Sequence, residues 1–402
     1  MDLNRELIAI PPGDTKLGQR SRSVTAIIST YNRADFIWEA VVSLLEQTVK
    51  PSRLIIVIDG SSDNTASVLA EFAQQIEVII IENGGKARAL NKALAVVDTE
   101  FCWLFDDDDI AHPDALETLL QAIENKPELG FVFGHNDSTS STGRITKEAI
   151  QKQSFQFAGA TAERLRFQIC RELTFFLPAC LIRRSAIEAV RGLDERFLRS
   201  QDYDLLIRLA LKYPFSYCGK AVFVLRQHSG ARGPAAIRHS ATDRNRIWMK
   251  FDRLIGEKIA DAITADVVWA ANEKPPSEKQ ALRSFGLAKA YLLSEKRSLS
   301  DTVNEICQAF VADPDSPLTG SEIEWAREVL HGAKIGEMNA LPTLRLAGLA
   351  RFKAARSALK ELSRGAYWTG TNAASTRAKV AWKLAAALLI LFSASARFLG
   401  KR

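Results

Sequence analysis

Short apolar runs alternate with amphipathic stretches through the first third of the chain. The runs are VTAII (24–28), LIIVI (54–58), VIII (78–81), FCWLF (101–105) and FVF (131–133). They are often β-branched and apolar throughout, as strands covered on both faces should be. Between the first two, Phe36, Ile37, Ala40, Val41, Leu44 and Leu45 share one helical stripe that stops near Pro51. Stretches 64–73, 86–97 and 114–124 fit the same helical pattern. This β-α-β-α order predicts an α/β architecture, an open and largely parallel sheet with helices on both faces.

Such sheets bind ligands beyond the carboxyl ends of their strands. Polar residues gather there in four consecutive places: Thr30-Tyr31-Asn32, Asp59-Gly-Ser-Ser-Asp63, Asn83-Gly-Gly-Lys86 and Asp106–Asp109. One polar loop is ordinary, whereas four on one edge predict a site. Four adjacent carboxylates repel one another and are costly unless solvated or neutralised. Hard oxygen ligands of this kind suit Mg²⁺ or Mn²⁺ held together with substrate phosphates. Capping of the helix that starts near Pro113 is the competing explanation, since acids favour helix N-termini.

These segments resemble the nucleotide-sugar-binding half of family 2 glycosyltransferases of the GT-A fold. The resemblance is carried by VTAIISTYNR, the 59–63 turn, Gly85-Lys-Ala-Arg-Ala-Leu-Asn91 and FDDDDIAHPDAL (105–116). It continues through PACLIRRSAIEAVRGLDERFLRSQDYDLLIRLA (178–210) and LRQHSG (225–230), and so covers roughly residues 22–232. It implies an inverting transfer of sugar from a nucleoside-diphosphate sugar to an acceptor hydroxyl. Ser29, Thr30, Tyr31 and Asp59 would line the nucleotide pocket, with Asp59 accepting from the base. Ile58 stands where the family usually has a first acid. Lys86 would approach the diphosphate, Asp106 and Asp107 the donor, and Asp108 the Mn²⁺ or Mg²⁺ ion. His228 would complete the metal site.

Asp202 stands where the family has its general base, although Gln201 replaces the usual neighbouring Glu. Each residue also has a plainer reading: strand-end packing for Tyr31, a solvated helix start for Lys86, a helix cap for Asp202 and a packed or surface histidine for His228. A nucleotidyltransferase of related fold and a non-catalytic, nucleotide-sugar-binding scaffold remain alternatives. The multi-span helices of processive synthases are absent from the sequence, which favours single-sugar transfer.

Composition adds one asymmetry. The 402 residues are 47% apolar and 25% charged, which excludes collagen-like and wholly disordered chains. The net charge of +6 divides unevenly: residues 341–402 hold twelve Lys/Arg and one acid, or +11, leaving 41 bases and 46 acids before them. A slightly acidic body with a basic tail is not the profile of a nucleic-acid binder. Within the tail, Leu341, Leu344, Gly348, Phe352, Ala355, Leu359 and Leu362 make an apolar helical face beside a basic one. Leu384–Ala396 carries no charge but falls short of the about 20 residues that span a bilayer. An interfacial helix on an anionic membrane surface is expected, with Trp382 and Phe398 at the headgroups. Packing on the body or in a homo-oligomer is the alternative.

The five scattered cysteines suggest neither disulfides nor zinc, and no signal peptide is visible, so a cytoplasmic protein peripheral to the cytosolic membrane face is expected. A saccharide or lipid-linked glycan is the expected acceptor. The divisions expected are an arm (1–21), the GT-A domain (22–235), a helical extension (236–340) and the basic tail (341–402).

Overall fold

The computed structural model describes residues 22–139, 145–156, 158–227, 241–272, 274–294, 296, 299–330, 345–346, 348–372 and 376–399. The expected arm and His228 lie outside these residues. The chain divides into two compact units, Met1–Ala162 with Leu173–Arg244, and Glu163–Glu172 with Asn245–Arg402.

In chain order the first unit contains β1 (Val24–Thr30), α1 (Ile37–Leu45), β2 (Arg53–Asp59), α2 (Thr65–Ala70), β3 (Glu77–Ile81), α3 (Lys86–Leu94), β4 (Phe101–Phe105), β5 (Ile110–Ala111), α4 (Ala115–Ile123) and β6 (Phe131–Thr139). Helix α5 (Ala162–Arg171) follows and falls almost wholly in the second unit. The first unit then resumes with β7 (Cys180–Arg183), α6 (Arg184–Ala189), α7 (Gln201–Lys212) and β8 (Phe215–Arg226).

The strands form one sheet in the order β3-β2-β1-β4-β7-β6-β8-β5. Strands β3, β2, β1 and β4 are parallel, as their apolar runs predict. Beyond β4 the pairing becomes mixed. There β7 pairs antiparallel with both β4 and β6, β6 runs parallel to β8, and β5 pairs antiparallel with β8. Strand β7 has only four residues, and β8 mixes polar with apolar positions, so neither carries the apolar run that marks the first four strands.

Alternation sets two core faces. Ala26, Ile28, Ile56, Ile58, Trp103 and Phe105 pack with Ile37, Val41 and Leu44 of α1 and Leu116 and Leu119 of α4. Ile27, Ile55, Val57 and Leu104 alternate to the other face and are fully buried there, where α3 lies against β1 and β2. Trp103 satisfies its indole N–H on the Pro178 carbonyl at 2.9 Å. Its ring therefore fills the core without leaving a buried donor unpaired.

The second unit is helical: α8 (Ala241–Ala262), α9 (Ala265–Ala271), α10 (Glu278–Leu293), α11 (Leu299–Ala312), α12 (Gly320–Glu328), α13 (Lys353–Asn372) and α14 (Thr376–Leu399). The expected helical extension is interrupted at Ile263–Thr264, between α8 and α9. A fully buried Arg283 organises α10 and α12: its guanidinium forks onto Glu322 at 2.9 and 3.0 Å and donates to the carbonyls of Asp313, Ser316 and Pro317. Glu322 also completes a capping box with Thr319.

The tail departs from expectation. Ala355, Leu359 and Leu362 of its apolar stripe are buried inside the second unit rather than offered to a membrane, Phe352 is half-buried and Gly348 exposed, and Leu341 and Leu344 lie outside the described residues. Trp382, expected at headgroup level, is fully buried. No helix among the described residues is long and apolar enough to cross a membrane.

Candidate active site

The carboxyl ends of β1, β2 and β4 and the loop after β3 meet at one edge, and their loops are knitted by side-chain-to-backbone bonds. Asn32, with φ +52°, donates its N–H to Ser61 Oγ at 3.0 Å and accepts the Ser62 N–H at 2.8 Å. Asp63 accepts the N–H groups of Ala34 and Thr65, each at 3.1 Å, and the Thr65 hydroxyl at 2.5 Å. Burial works against its charge, but those bonds hold Asp63 below the usual carboxylate range. Asp63 thus joins the β1 loop to the start of α2. Ile58 is buried in the strand, where an acid would face apolar neighbours.

Asp59 is only 3% exposed, and both of its carboxylate oxygens are engaged. Oδ1 accepts the Gly84 N–H at 2.7 Å and Oδ2 the Gly85 N–H at 2.8 Å, while Asn83 Nδ2 donates to the Asp59 carbonyl at 2.8 Å. The close approach requires glycine at position 60. Its φ is +71°, and a Cβ there would lie 2.7 Å from Asn83 N. Asp59 therefore sets the turn that launches α3.

Helix α3 begins at Lys86, whose ammonium forms an ion pair with Asp106. Burial would lower this lysine, but Asp106, Asp202 and Asp108 together hold it above the ordinary lysine range. It is not a solvated helix start. Thr30 is buried at the end of β1, and Ser29 and Tyr31 on either side are half-buried.

The acidic run does not cap α4. The Leu116 N–H at that helix start is taken by Gln47 Oε1 at 2.9 Å, and Asp114 at the N-cap makes no side-chain cap bond. Carboxylate oxygens of Asp106, Asp108 and Asp109 instead converge within 4.8 Å of one another. Asp107 lies 3.6 Å and Asp108 4.0 Å from Arg33 Nε. Asp109 is 1% exposed; Oδ1 accepts the Arg226 N–H at 3.0 Å, and Oδ2 is buried without a hydrogen-bond partner among the described residues. Burial raises the carboxyls of Asp106, Asp107 and Asp109, and the neighbouring acids add to it. Asp107 is pushed up to about 7. An orphaned buried oxygen within a convergent all-oxygen set fits a hard divalent cation. Asp106 and Asp109 join Asp108 in that donor set, which the sequence reading confined to Asp108 and His228.

Asp202 sits in the first turn of α7, half-buried, after a Ser200 with φ +59°. Its charge acts on both Lys86 and Asp106, which places it at the same edge as the acidic cluster. Asp204, two residues on, is buried and paired with Arg208, an arrangement internal to α7.

Three residues of this edge were not singled out from the sequence: Arg33, Glu39 and Arg226. The Arg226 side chain is fully buried. It pairs with Glu39, donates Nε–H to the Asp108 carbonyl at 3.0 Å, and lies 5.0 Å from the Phe36 ring centroid. Its backbone and guanidinium thus hold Asp109 and Asp108 from behind. Arg226→Ala strands Glu39 and is expected to destabilise the protein by about 3–5 kcal/mol in urea unfolding. Arg226→Lys, unable to fork, should recover only part of that.

The parallel β3-β2-β1-β4 half, the mixed extension and the carboxylate cluster beyond β4 are those of a GT-A fold. Residues 25–191 match the family model described as glycosyl transferase family 2. The chain is 27% identical over 199 residues to an uncharacterized glycosyltransferase of Methanocaldococcus jannaschii, covering 48% of this chain and 66% of the relative. It is 30% identical over 128 residues to the poly-β-1,6-N-acetyl-D-glucosamine synthase of Staphylococcus aureus, covering 30% of this chain and 31% of the synthase. It therefore spans less than two thirds of the length of these curated relatives. Residues 1–349 of S. aureus TarS, solved in complex with UDP-GlcNAc, superpose with a TM-score of 0.50 at 18% identity, covering 85% of this chain and 90% of that one. That likeness is one of fold.

Proposed function

We propose that the protein is an inverting, metal-dependent glycosyltransferase that moves a sugar from a nucleoside-diphosphate sugar to an acceptor hydroxyl. The observation that carries this reading is the presence, at one sheet edge, of a cation-fitting cluster (Asp106, Asp108, Asp109) and a separate helix-borne carboxylate, Asp202. Two carboxylate sites with different surroundings can do different work. Ser29, Thr30 and Tyr31 form the wall for the nucleotide, with Asp59 holding the neighbouring turn, and Asp107 with Arg33 borders the donor.

Lys86 supplies a positive charge to the diphosphate. Asp108, with Asp106 and Asp109, would hold Mn²⁺ or Mg²⁺, which when bound neutralises charge on the departing nucleoside diphosphate. Asp202 accepts the proton of the acceptor hydroxyl as that oxygen attacks the anomeric carbon, and the bond to the diphosphate breaks on the opposite side. A single displacement inverts the anomeric centre. The acceptor is a saccharide or lipid-linked glycan, reached at the cytosolic face of a membrane; that location rests on the basic segment 341–402.

The test is a panel of nucleotide sugars with Mn²⁺ or Mg²⁺, run beside nucleoside triphosphates with sugar phosphates. Release of nucleoside diphosphate from a nucleotide sugar is expected. Pyrophosphate release from the triphosphates would make the protein a nucleotidyltransferase, and binding without turnover would make it a scaffold.

A further inference from the structure

Within the second unit, α13 and α14 pack on each other, and α14 buries Trp382, Ala385, Ala386 and Leu389. The other side of α14 is also apolar but uncovered. Val380, Leu384, Leu388 and Ile390 are 53%, 60%, 41% and 52% exposed, and the first three recur at four-residue spacing as one stripe. Tyr367 and Trp368, near the end of α13, are 56% and 49% exposed. Lys379 and Lys383 are exposed beside the stripe, and the Lys383 ammonium lies 5.6 Å from the Tyr367 ring centroid, so both helices contribute to this surface. Lys353, Lys360 and Arg364 are exposed along the same line of α13 as Tyr367, at helical spacing.

An apolar stripe with aromatic residues at one end and cations along its flank suits an interface between hydrocarbon and anionic headgroups. A second copy of the chain is the other natural occupant of an exposed apolar face. It would bring +11 in residues 341–402 against an equal charge, whereas an anionic bilayer offers the opposite sign. We propose that this face of α13 and α14 docks the protein in the plane of an anionic lipid surface. Val380, Leu384, Leu388 and Ile390 enter the headgroup–acyl boundary, Tyr367 and Trp368 lie at headgroup level, and the flanking lysines meet lipid phosphates. The inference deepens the membrane placement proposed above and rests on it, but it is independent of the donor chemistry.

Flotation of the full chain with phosphatidylcholine vesicles, with and without phosphatidylglycerol, tests it. Binding is expected only with the anionic lipid and should be lost as salt is raised, a result that needs no variant. Lys379→Gln with Lys383→Gln should lower partitioning about 30-fold, each cation near such a surface being worth about fivefold. Leu384→Ser with Leu388→Ser should lower it by at least about tenfold. All four positions are exposed, and unchanged circular dichroism and nucleoside-diphosphate binding report the fold. Absence of binding at low salt, or equal binding to neutral vesicles, overturns the proposal. So does a dimer, seen by sedimentation, that the serine variants dissociate. A chain that floats but turns over no nucleotide sugar supports this inference and sinks the donor reading alone.

Discussion

Asp202→Asn lowers sugar transfer by about 10²–10⁴-fold while leaving donor affinity unchanged, as measured by kcat and by nucleoside-diphosphate binding. The substitution keeps the shape of the side chain, and the amide oxygen can still accept the Tyr203 N–H that Asp202 Oδ1 accepts at 2.9 Å. What it removes is a carboxylate able to take a proton. Lys86 also loses one of three nearby negative charges but keeps its ion pair with Asp106. The loss therefore belongs in kcat and not in binding. Full transfer by the Asn variant would take the base role away from Asp202.

The second large effect is expected at Asp108. With Mn²⁺ and a nucleoside diphosphate at about 100 times their dissociation constant, the wild-type protein gains about 2.7 kcal/mol, or about 5–10 °C in melting temperature for a unit of this size. Asp108→Ala should show no metal-dependent shift. It should also melt no lower than the wild type when no metal is added, because it removes one of the charges whose repulsion raises Asp106, Asp107 and Asp109. Arg33 retains Asp107 at 3.6 Å. A purely structural role for Asp108 predicts the reverse: a lower melting point without metal and an undiminished shift with it. Differential scanning calorimetry, with and without Mn²⁺, separates the two.

The parallel half of the sheet was legible because β1, β2 and β4 are buried on both faces and therefore apolar at nearly every position. Strand ends then pointed to the site without knowledge of any contact, and Asp106–Asp109 could be read as a cluster because they are consecutive. The rest depended on tertiary contacts. Arg226 closes a strand of mixed polarity and reads as a solvent-facing charge; only the approach of Glu39 from α1 and the Asp108 carbonyl makes it a buried support. Asp59 was visible as a strand-end acid, but its engagement with Gly84 and Gly85 requires the register of β2 against β3.

The tail shows the same limit from the other side. Periodicity identified an apolar face on residues 341–362 but could not say what covers it, and at Ala355, Leu359 and Leu362 the covering is the rest of the second unit. The face that stays open on α14 lies in a stretch apolar nearly all round, where no stripe stands out in the sequence.

The stereochemistry of the product tests the central claim most directly. The donor identified by the nucleotide-sugar panel, if α-linked to its diphosphate, is incubated with its acceptor, and the anomeric proton of the new glycoside is read by ¹H NMR. A single displacement assisted by Asp202 predicts the β-anomer. An α-linked product would contradict the account, because retention requires either a covalent intermediate or attack from the face of the leaving group.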